Sequence, residues 1–514
     1  MAKVFTRLVS AYKFLFRYIG LGMLTVGGLD GSLSAQDTLD PRTKEVFLSA
    51  INSVDSHWDS RAALIGSGSS HTVRGSSWYG LGLMTRDEPG DFERGIRTLC
   101  AVAATQIDLP EMPWDGTFKR VAEEKLPPPK GRAYVDYDPN WREFVGTVFA
   151  LALIQHGDRI SAHDTEILEN AIKHAVSGEI KQGRLLPTYT NISLMYAFLR
   201  TFAGKRFHNE RWLSEGQAWT EKVYNAYKLN ESFDEFNSPT YYGVDFYGLA
   251  LLRRYGVTPR LREMGATMEA GLWRDVARFY HPGLKNLAGP FDRAYGMDMT
   301  QYASLVGVWL SFSLPNNQMP LPQLGSSMDH GGDFLCAMTY AALGTHIPSE
   351  VVKDLTVFPG EHRVTQKIAD GSRTATAWFA DDIMIGAEET GLTRGILTPK
   401  SQFHPATIHW KLSDGGIAWM YVSSAPLLDA KADKNLLNIH SNQGDVVFRI
   451  HATGVNINHI TKAVWELPNL RVNIESNAKT WQVARVANDI EIRFNDVSLI
   501  TLNTHYSTSS LKTP

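Results

Sequence analysis

Apolar positions recur at helical spacing from about residue 40 to 345 and alternate with polar ones after about residue 350. Ile192, Met195, Tyr196 and Leu199 follow i, i+3, i+4, i+7, and Phe144, Val148 and Leu151 follow i, i+4, i+7. Similar segments lie at Glu45–Ser56, Asp91–Gln106, Asp164–Val176, Glu210–Leu229, Pro259–Tyr280, Thr300–Phe312 and Phe334–Leu343. The pattern predicts about ten to twelve helices joined by Gly-, Pro- and Asn-rich loops, with no strand between them. A long run of helical hairpins that closes on itself is an α/α toroid, with its loops forming a cleft at one rim.

In the last part of the chain Thr374–Phe379, Asp382–Glu388, Thr407–Leu412, Gly416–Val422, Asp445–His451, Arg471–Ile474 and Ile490–Phe494 read as short strands. Polar turns such as Ser413-Asp414-Gly415-Gly416 separate them, the pattern of an antiparallel β-sandwich. Gly344, Pro348 and Pro359 mark the transition. The expected fold class is therefore α+β and multidomain, an N-terminal α/α toroid followed by a C-terminal antiparallel β-sandwich. The expected boundaries are a signal peptide or anchor over 1–35, the toroid over 36–348 and the sandwich over 349–514.

Composition narrows the partners. Across 514 residues, 51 Lys+Arg against 54 Asp+Glu leave a net charge of -3 without a long basic run, which argues against nucleic acid. The 13 Trp and 19 Tyr suit stacking on sugar rings as well as filling a large core. Cys100 and Cys336 are the two cysteines, enough for one disulfide and too few for a cysteine metal cluster; sequence leaves their pairing open. At the N-terminus Lys3, Arg7, Lys13 and Arg17 precede the apolar run Tyr18–Val26, and Leu33-Ser34-Ala35 offers small residues for cleavage. Secretion is the expectation. Asp30 and Leu33 depart from the cleavage pattern and keep a membrane anchor as the alternative, although the run is too short for a stable span. Asn191-Ile192-Ser193 and Asn230-Glu231-Ser232 are glycosylation sequons, the first too close to the expected site to be modified.

The chemistry concentrates in Asp234–Asp245, which reads Asp-Glu-Phe-Asn-Ser-Pro-Thr-Tyr-Tyr-Gly-Val-Asp. Pro239 suits the first turn of a helix that Asn237 or Ser238 would cap, leaving Tyr241 and Tyr242 at the mouth of an enclosed helix. A phenol held there by neighbours is a general acid or base in waiting; the structural alternative is a cap whose groups bond each other. Tyr242 is preferred, because it shares a face with Pro239 and Asp245. Arg293, in Gly289–Asp298, could engage a carboxylate through two parallel bonds, with Asp292 and Tyr295 beside it; an Asp292–Arg293 structural cluster is the alternative. Upstream, His71, Arg74 and Trp78 could meet an anionic substrate and a ring face, and Asp136–Glu143 reads as a rim loop. His330 with Asp329 and Asp333 has only weak metal-ligand spacing, and there is no phosphate-binding loop, HExxH pair or GxSxG elbow. No metal or cofactor is expected.

The toroid-then-sandwich layout resembles that of the polysaccharide lyases related to alginate, heparin and chondroitin lyases. In that superfamily a toroid Asn or His neutralises a uronate carboxylate, a Tyr further along works on the sugar protons, and a His may reach across from the β-domain. The resemblance implies Asn191, then Tyr241 or Tyr242, and His404 or His409 from Gln402-Phe403-His404-Pro405-Ala406-Thr407-Ile408-His409. Ile192 follows Asn191 where those lyases often carry His, so neutralisation falls to Arg293. The implied activity is β-elimination in a uronate-containing poly- or oligosaccharide by a carbon–oxygen lyase. The alternatives are a glycoside hydrolase using a pair from Glu235, Asp245, Asp292 and Asp298, a dehydratase or cyclase acting on a small hydrophobic, terpenoid-like metabolite, and a non-catalytic carbohydrate-binding protein. The substrate's identity and the oligomeric state are not written in any motif.

Overall fold

The computed structural model describes residues 39–507, so the expected signal or anchor segment lies outside the described residues. Its helical half begins with α1 (Pro41–Asp55), α2 (Val73–Arg86), α3 (Asp91–Ala103) and α4 (Trp141–His156). It continues with α5 (Ala162–Gln182), α6 (Thr190–Arg206), α7 (Glu210–Lys228), α8 (Tyr241–Tyr255) and α9 (Pro259–Phe279). The shorter α10 (Leu305–Ser311), α11 (Gly331–Phe334), α12 (Ala337–Tyr340) and α13 (Val352–Thr356) complete it. Boundaries follow local chemistry. Asp40, Ser161, Asn209 and Thr258 cap α1, α5, α7 and α9 through their side chains, with Pro41 and Pro259 in the first turns. Asp87 and Gly183 end α2 and α5 in the left-handed conformation.

Helix composition sorts the elements into two rings. α7 buries one stripe, Gly216, Thr220, Val223, Tyr224 and Tyr227, and lies outside. α4, α6 and α8 are buried on nearly every side and lie inside. The inner helices α2, α4, α6, α8, α10 and α12 touch in that order, and α12 returns to α2, closing the toroid. Close approach needs glycine: a Cβ on Gly243 would lie 2.3 Å from Leu305, and one on Gly248 2.7 Å from Leu194. Between α8, α10 and α12 the space is filled by Tyr247, Trp309 and Tyr340, stacked with centroids 5.2 and 4.8 Å apart. Each fully buried large apolar side chain of this kind contributes about 1.5–3 kcal/mol relative to exposure. The toroid is a packed core, not a pore.

Two departures from the sequence reading arise here. The expected helix over Phe334–Leu343 is split into the short α11 and α12, and the loops carry short strands β1 (Trp58–Asp59), β2 (Leu64–Ser67), β3 (Ser70–His71), β4 (Tyr280–His281) and β5 (Asn286–Leu287). Cys100 and Cys336 are free thiols.

The C-terminal half is an antiparallel, 11-stranded sheet folded into two layers. It opens with β6 (His362–Ile368), β7 (Arg373–Ala380), β8 (Ile383–Glu389), β9 (Ala406–Lys411) and β10 (Ile417–Ser424). It continues with β11 (Leu428–Asp433), β12 (Leu436–His451), β13 (Val464–Leu467), β14 (Leu470–Ser476), β15 (Thr480–Val486) and β16 (Asp489–Tyr506). β12 and β16 are the long spines. The first part of β12 pairs with β11 and the last with β10; β16 likewise pairs first with β15 and then with β14. Register shifts around Gly444 bend the spines, so β11 packs back over β7 and β8 around Ile385, Trp410 and Ile439.

The halves are joined at the 288–298 loop. Phe291 exchanges both backbone hydrogen bonds with His404, and a Cβ on Gly386 would lie 1.9 Å from the Gly289 carbonyl oxygen. Beside that contact Arg373 Nη1 lies 3.0 Å from both Asp292 and Glu388, and Arg394 also bonds Asp292. Burial, followed by the nearby Asp292 charge, pushes Glu388 up to about 8.

Candidate active site

The N-terminal ends of the inner helices lie side by side at one rim. Asn140, which precedes α4, donates to the Tyr189 hydroxyl before α6 at 2.8 Å. Thr190 and Asn191 on α6 donate to Glu235, in the loop before α8. Val306 N of α10 donates to Pro239 O at 3.0 Å, and Ala303 N donates to Asp329 O, just before α11, at 2.9 Å. Arg74 of α2 reaches Asp333 of α11 at 2.7 Å and closes the circle. Aligned helix N-termini carry partial positive charge, so this rim favours an anion.

At its centre stand Arg293 and Tyr241. The guanidinium lies 3.7 Å from the Tyr241 ring centroid and donates Nη2 to the Tyr241 hydroxyl at 2.6 Å. Its Nη1 donates to Glu235 at 2.9 Å and its Nε to Gln402, from the β-half, at 3.1 Å. The Tyr241 hydroxyl also shares a hydrogen bond with the hydroxyl of Tyr295. Burial pushes the Tyr241 phenol well up, against the opposing pull of Arg293, so the resting phenol keeps its proton. Burial works against the Arg293 charge too, but Tyr241 and Glu235 more than offset it. Tyr295 is the accessible member, 36% exposed, and its ring stacks on His330 with centroids 4.8 Å apart.

Behind this group lies a carboxyl pair. Asp245, one helical turn past Tyr241, is fully buried with neither oxygen hydrogen-bonded. Burial, and then the charge of Glu235, hold its carboxyl well above the usual range. Asn191 is also fully buried and reaches the site only through Glu235. A glycan on this asparagine is incompatible with that packing.

The other residues singled out in the sequence occupy different surroundings. Tyr242, preferred there, points away from Arg293 into the core, packed edge-on against Phe236 with its hydroxyl buried and unpartnered. The inner-ring packing of α8 gives Tyr241, not Tyr242, the open side. Asn237 ties down the loop through Ala288 O and Pro290 O, at 2.6 and 2.9 Å. Asp292 belongs to the Arg373–Arg394 joint and also accepts from Phe236 N. His404 stands at that joint with its ring edge-on to Tyr421, and burial pushes it down to about 4, leaving it neutral. His409 is likewise neutral at about 4, bonded to Met297 O at 2.8 Å. His71 is held between Glu123 and Asp59 at the rim. Arg74 lies over Trp78, Trp141 and Phe144, and Trp78 is buried beneath it. Contacts run from Arg74 through Asp333 and His330 to Tyr295, so Arg74 and Tyr241 share one continuous rim.

Sequence reasoning passed over Gln402 and Tyr189, read Asn140 only as part of the Asp136–Glu143 rim loop, and took Glu235 only as half of a hydrolase pair. Gln402 stands two residues before His404, inside the segment quoted for it, and Tyr189 two before Asn191. Among the described residues, Asp108, Asp115 and His174 come close enough to share a cation, but His174 Nε2 already lies in hydrogen-bond contact with Asp115, 2.8 Å away.

Residues 44–345 match the family described as Domain of unknown function (DUF8769). The chain belongs to that family. A second family, Domain of unknown function (DUF8770), matches residues 360–491. No curated protein matches the chain in sequence. Among solved structures, the chain of this DUF8769 member is similar to heparinase III, at 10% identity and a TM-score of 0.42, covering 95% of this chain and 89% of that one. It is also similar to chondroitin AC lyase of Streptomyces coelicolor A3 in complex with chondroitin sulphate, at 9% identity and a TM-score of 0.45, covering 94% and 81%. A third likeness is to endoglucanase CelQ of Clostridium thermocellum complexed with cellotetraose, at 10% identity and a TM-score of 0.30, covering 92% and 94%. Nothing about this chain's chemistry follows from similarity at that level. Among the described residues no helix is long and apolar enough to cross a membrane.

Proposed function

We propose that this DUF8769 protein is a carbon–oxygen lyase that cleaves a uronate-containing saccharide by β-elimination. The observation that carries the reading is the contact of the Arg293 guanidinium with both the ring and the hydroxyl of Tyr241, at a rim where helix N-termini converge.

β-Elimination removes the proton α to the uronate carboxylate and expels the glycosidic oxygen from the β carbon. Arg293 and the converging N-termini stabilise the charge that develops on the carboxylate. The Tyr241–Tyr295 pair handles the protons. Once the pair has released one proton to solvent by way of the exposed Tyr295, the phenolate is held by Arg293 and by the partner hydroxyl, and takes the C5 proton. The remaining phenol protonates the departing oxygen. One C–H and one C–O bond break, a C=C and an O–H bond form, and the pair ends with the charge it began with. Glu235, supported by Asn191 and Thr190, fixes the guanidinium so that both contacts to Tyr241 hold together. The test is a screen of uronic polysaccharides with ultraviolet detection, because elimination alone creates a conjugated unsaturated uronate. Release of reducing ends without absorbance would refute the lyase reading.

A hydrolase reading draws on Glu235 and Asp245 as its carboxyl pair. Asp245 is fully buried in the inner ring with no exposed surface to offer a substrate, so the two cannot flank a glycosidic bond as that chemistry requires.

A further inference from the structure

A cavity of about 610 Å³ opens beside the Tyr241 site, between the toroid rim and the β-half. Its size is that of a small-ligand site. Tyr295 belongs to both: its hydroxyl bonds Tyr241, and it also lines the cavity. Facing it from β10 is Trp419, stacked on His451 of β12 with centroids 4.1 Å apart and planes 14° apart. Tyr295 is supported in the same way by His330, at 4.8 Å and 13°. Two aromatic rings, each backed by a stacked imidazole, are rigid apolar platforms of the kind that sugar rings pack against.

The charge of the cavity differs from that of the neighbouring site. Asp298, Asp329 and Asp414 contribute to its wall, and no Lys or Arg does. Asp298 is engaged by Asn286 and Thr300, whereas Asp329 and Asp414 are exposed. An anionic group entering this space would meet like charge, and the only basic side chains in the wall are the imidazoles of His330 and His451, each already facing a carboxylate, Asp333 and Asp489.

We infer that this cavity receives the sugar next to the uronate and selects a ring without sulfate or carboxylate groups, neutral or bearing a free amine. The inference rests on the saccharide-lyase reading of the Tyr241 site and adds the charge class of the neighbouring unit. The anion-favouring rim and the acidic cavity together read a substrate in which charged and uncharged rings alternate.

Calorimetric titration tests this with Tyr241→Phe as the background, so that the probes stay intact, and the wild-type chain serves for product detection. The probes are unsulfated chondroitin tetrasaccharide and its sulfated counterpart, titrated into the full chain. The unsulfated probe should bind more tightly, Trp419→Ala should weaken it at least about tenfold, and Asp329→Asn should narrow the discrimination by about threefold. The Asp329 side chain is exposed, so that change leaves the fold alone. Equal or tighter binding of the sulfated probe, binding insensitive to Trp419→Ala, or no binding of either probe would overturn the inference. Binding as expected without an ultraviolet-absorbing product would keep the subsite and overturn the lyase reading instead.

Discussion

Arg293 covers the Tyr241 ring at 3.7 Å and bonds its hydroxyl at 2.6 Å, so one guanidinium both positions the phenol and favours its charged form. Tyr241 opens α8 and Arg293 lies in the 288–298 loop, 52 positions further along the sequence. Glu235 and Gln402 hold the guanidinium from two further directions.

Arg293→Lys should therefore fail although charge is retained. An ammonium cannot cover the ring, bond the phenol and keep Glu235 and Gln402 together, because it lacks the planar fork. The expected loss in kcat is about 10²-fold or more, with folding intact by melting temperature. A Lys variant turning over at the wild-type rate would remove Arg293 from the mechanism.

Tyr242→Phe makes the opposite prediction. The hydroxyl is buried without a partner, so its removal relieves a desolvation cost and leaves the ring packing in place. Melting temperature should hold or rise and turnover should stay within a small factor of wild type. Loss of activity in a stable Tyr242→Phe protein would return the phenol role to that residue.

The helical half followed by an antiparallel sheet was legible from sequence, and the surroundings of single site candidates were less so. The Asp234–Asp245 and Gly289–Asp298 segments stood out because their polar groups interrupt apolar surroundings. The choice between Tyr241 and Tyr242 was not legible, because α8 is apolar all round and its own pattern cannot say which face the closed ring leaves open. Asp292 and His404 were taken as site groups, but their surroundings are set by segments more than 80 residues away in sequence, through Arg373 of β7 and Phe291 of the 288–298 loop respectively. The same holds for the β-half. β15, exposed along much of its length, gave too little alternation to be read as a strand.

The joint between the halves offers a stability test. Arg373 neutralises Asp292 and Glu388 in a nearly closed space. Arg373→Ala leaves two buried acids to the partly exposed Arg394 alone and should cost about 3–5 kcal/mol, read by denaturant unfolding. A cost below about 1 kcal/mol, typical of an exposed pair, would show that the joint is solvated.

Stability should also fall with pH for an identifiable reason. Burial raises Asp275 to about 8 from an ordinary 3.8, so the folded state binds the proton more tightly than the unfolded chain. Its contribution is fully present below the unfolded value and is lost as pH rises toward about 8. Asp275→Asn should flatten the decline in melting temperature between about pH 5 and 8 and stabilise the protein at the upper end. Identical pH profiles for the two proteins would refute this. His404 and His409, held neutral with values of about 4, act with the opposite sign: stability is lost as pH falls from their ordinary 6.5 toward 4.

The central claim is that Tyr241 performs acid–base work in an elimination. Its most direct test is the rate at which ultraviolet-absorbing unsaturated product forms from a uronic oligosaccharide, measured for wild type and Tyr241→Phe. The account predicts absorbance with wild type and a loss of roughly 10²–10⁴-fold in the variant, at an unchanged melting temperature. Cleavage by the wild type without absorbance, or a stable Tyr241→Phe protein with undiminished rate, would contradict it.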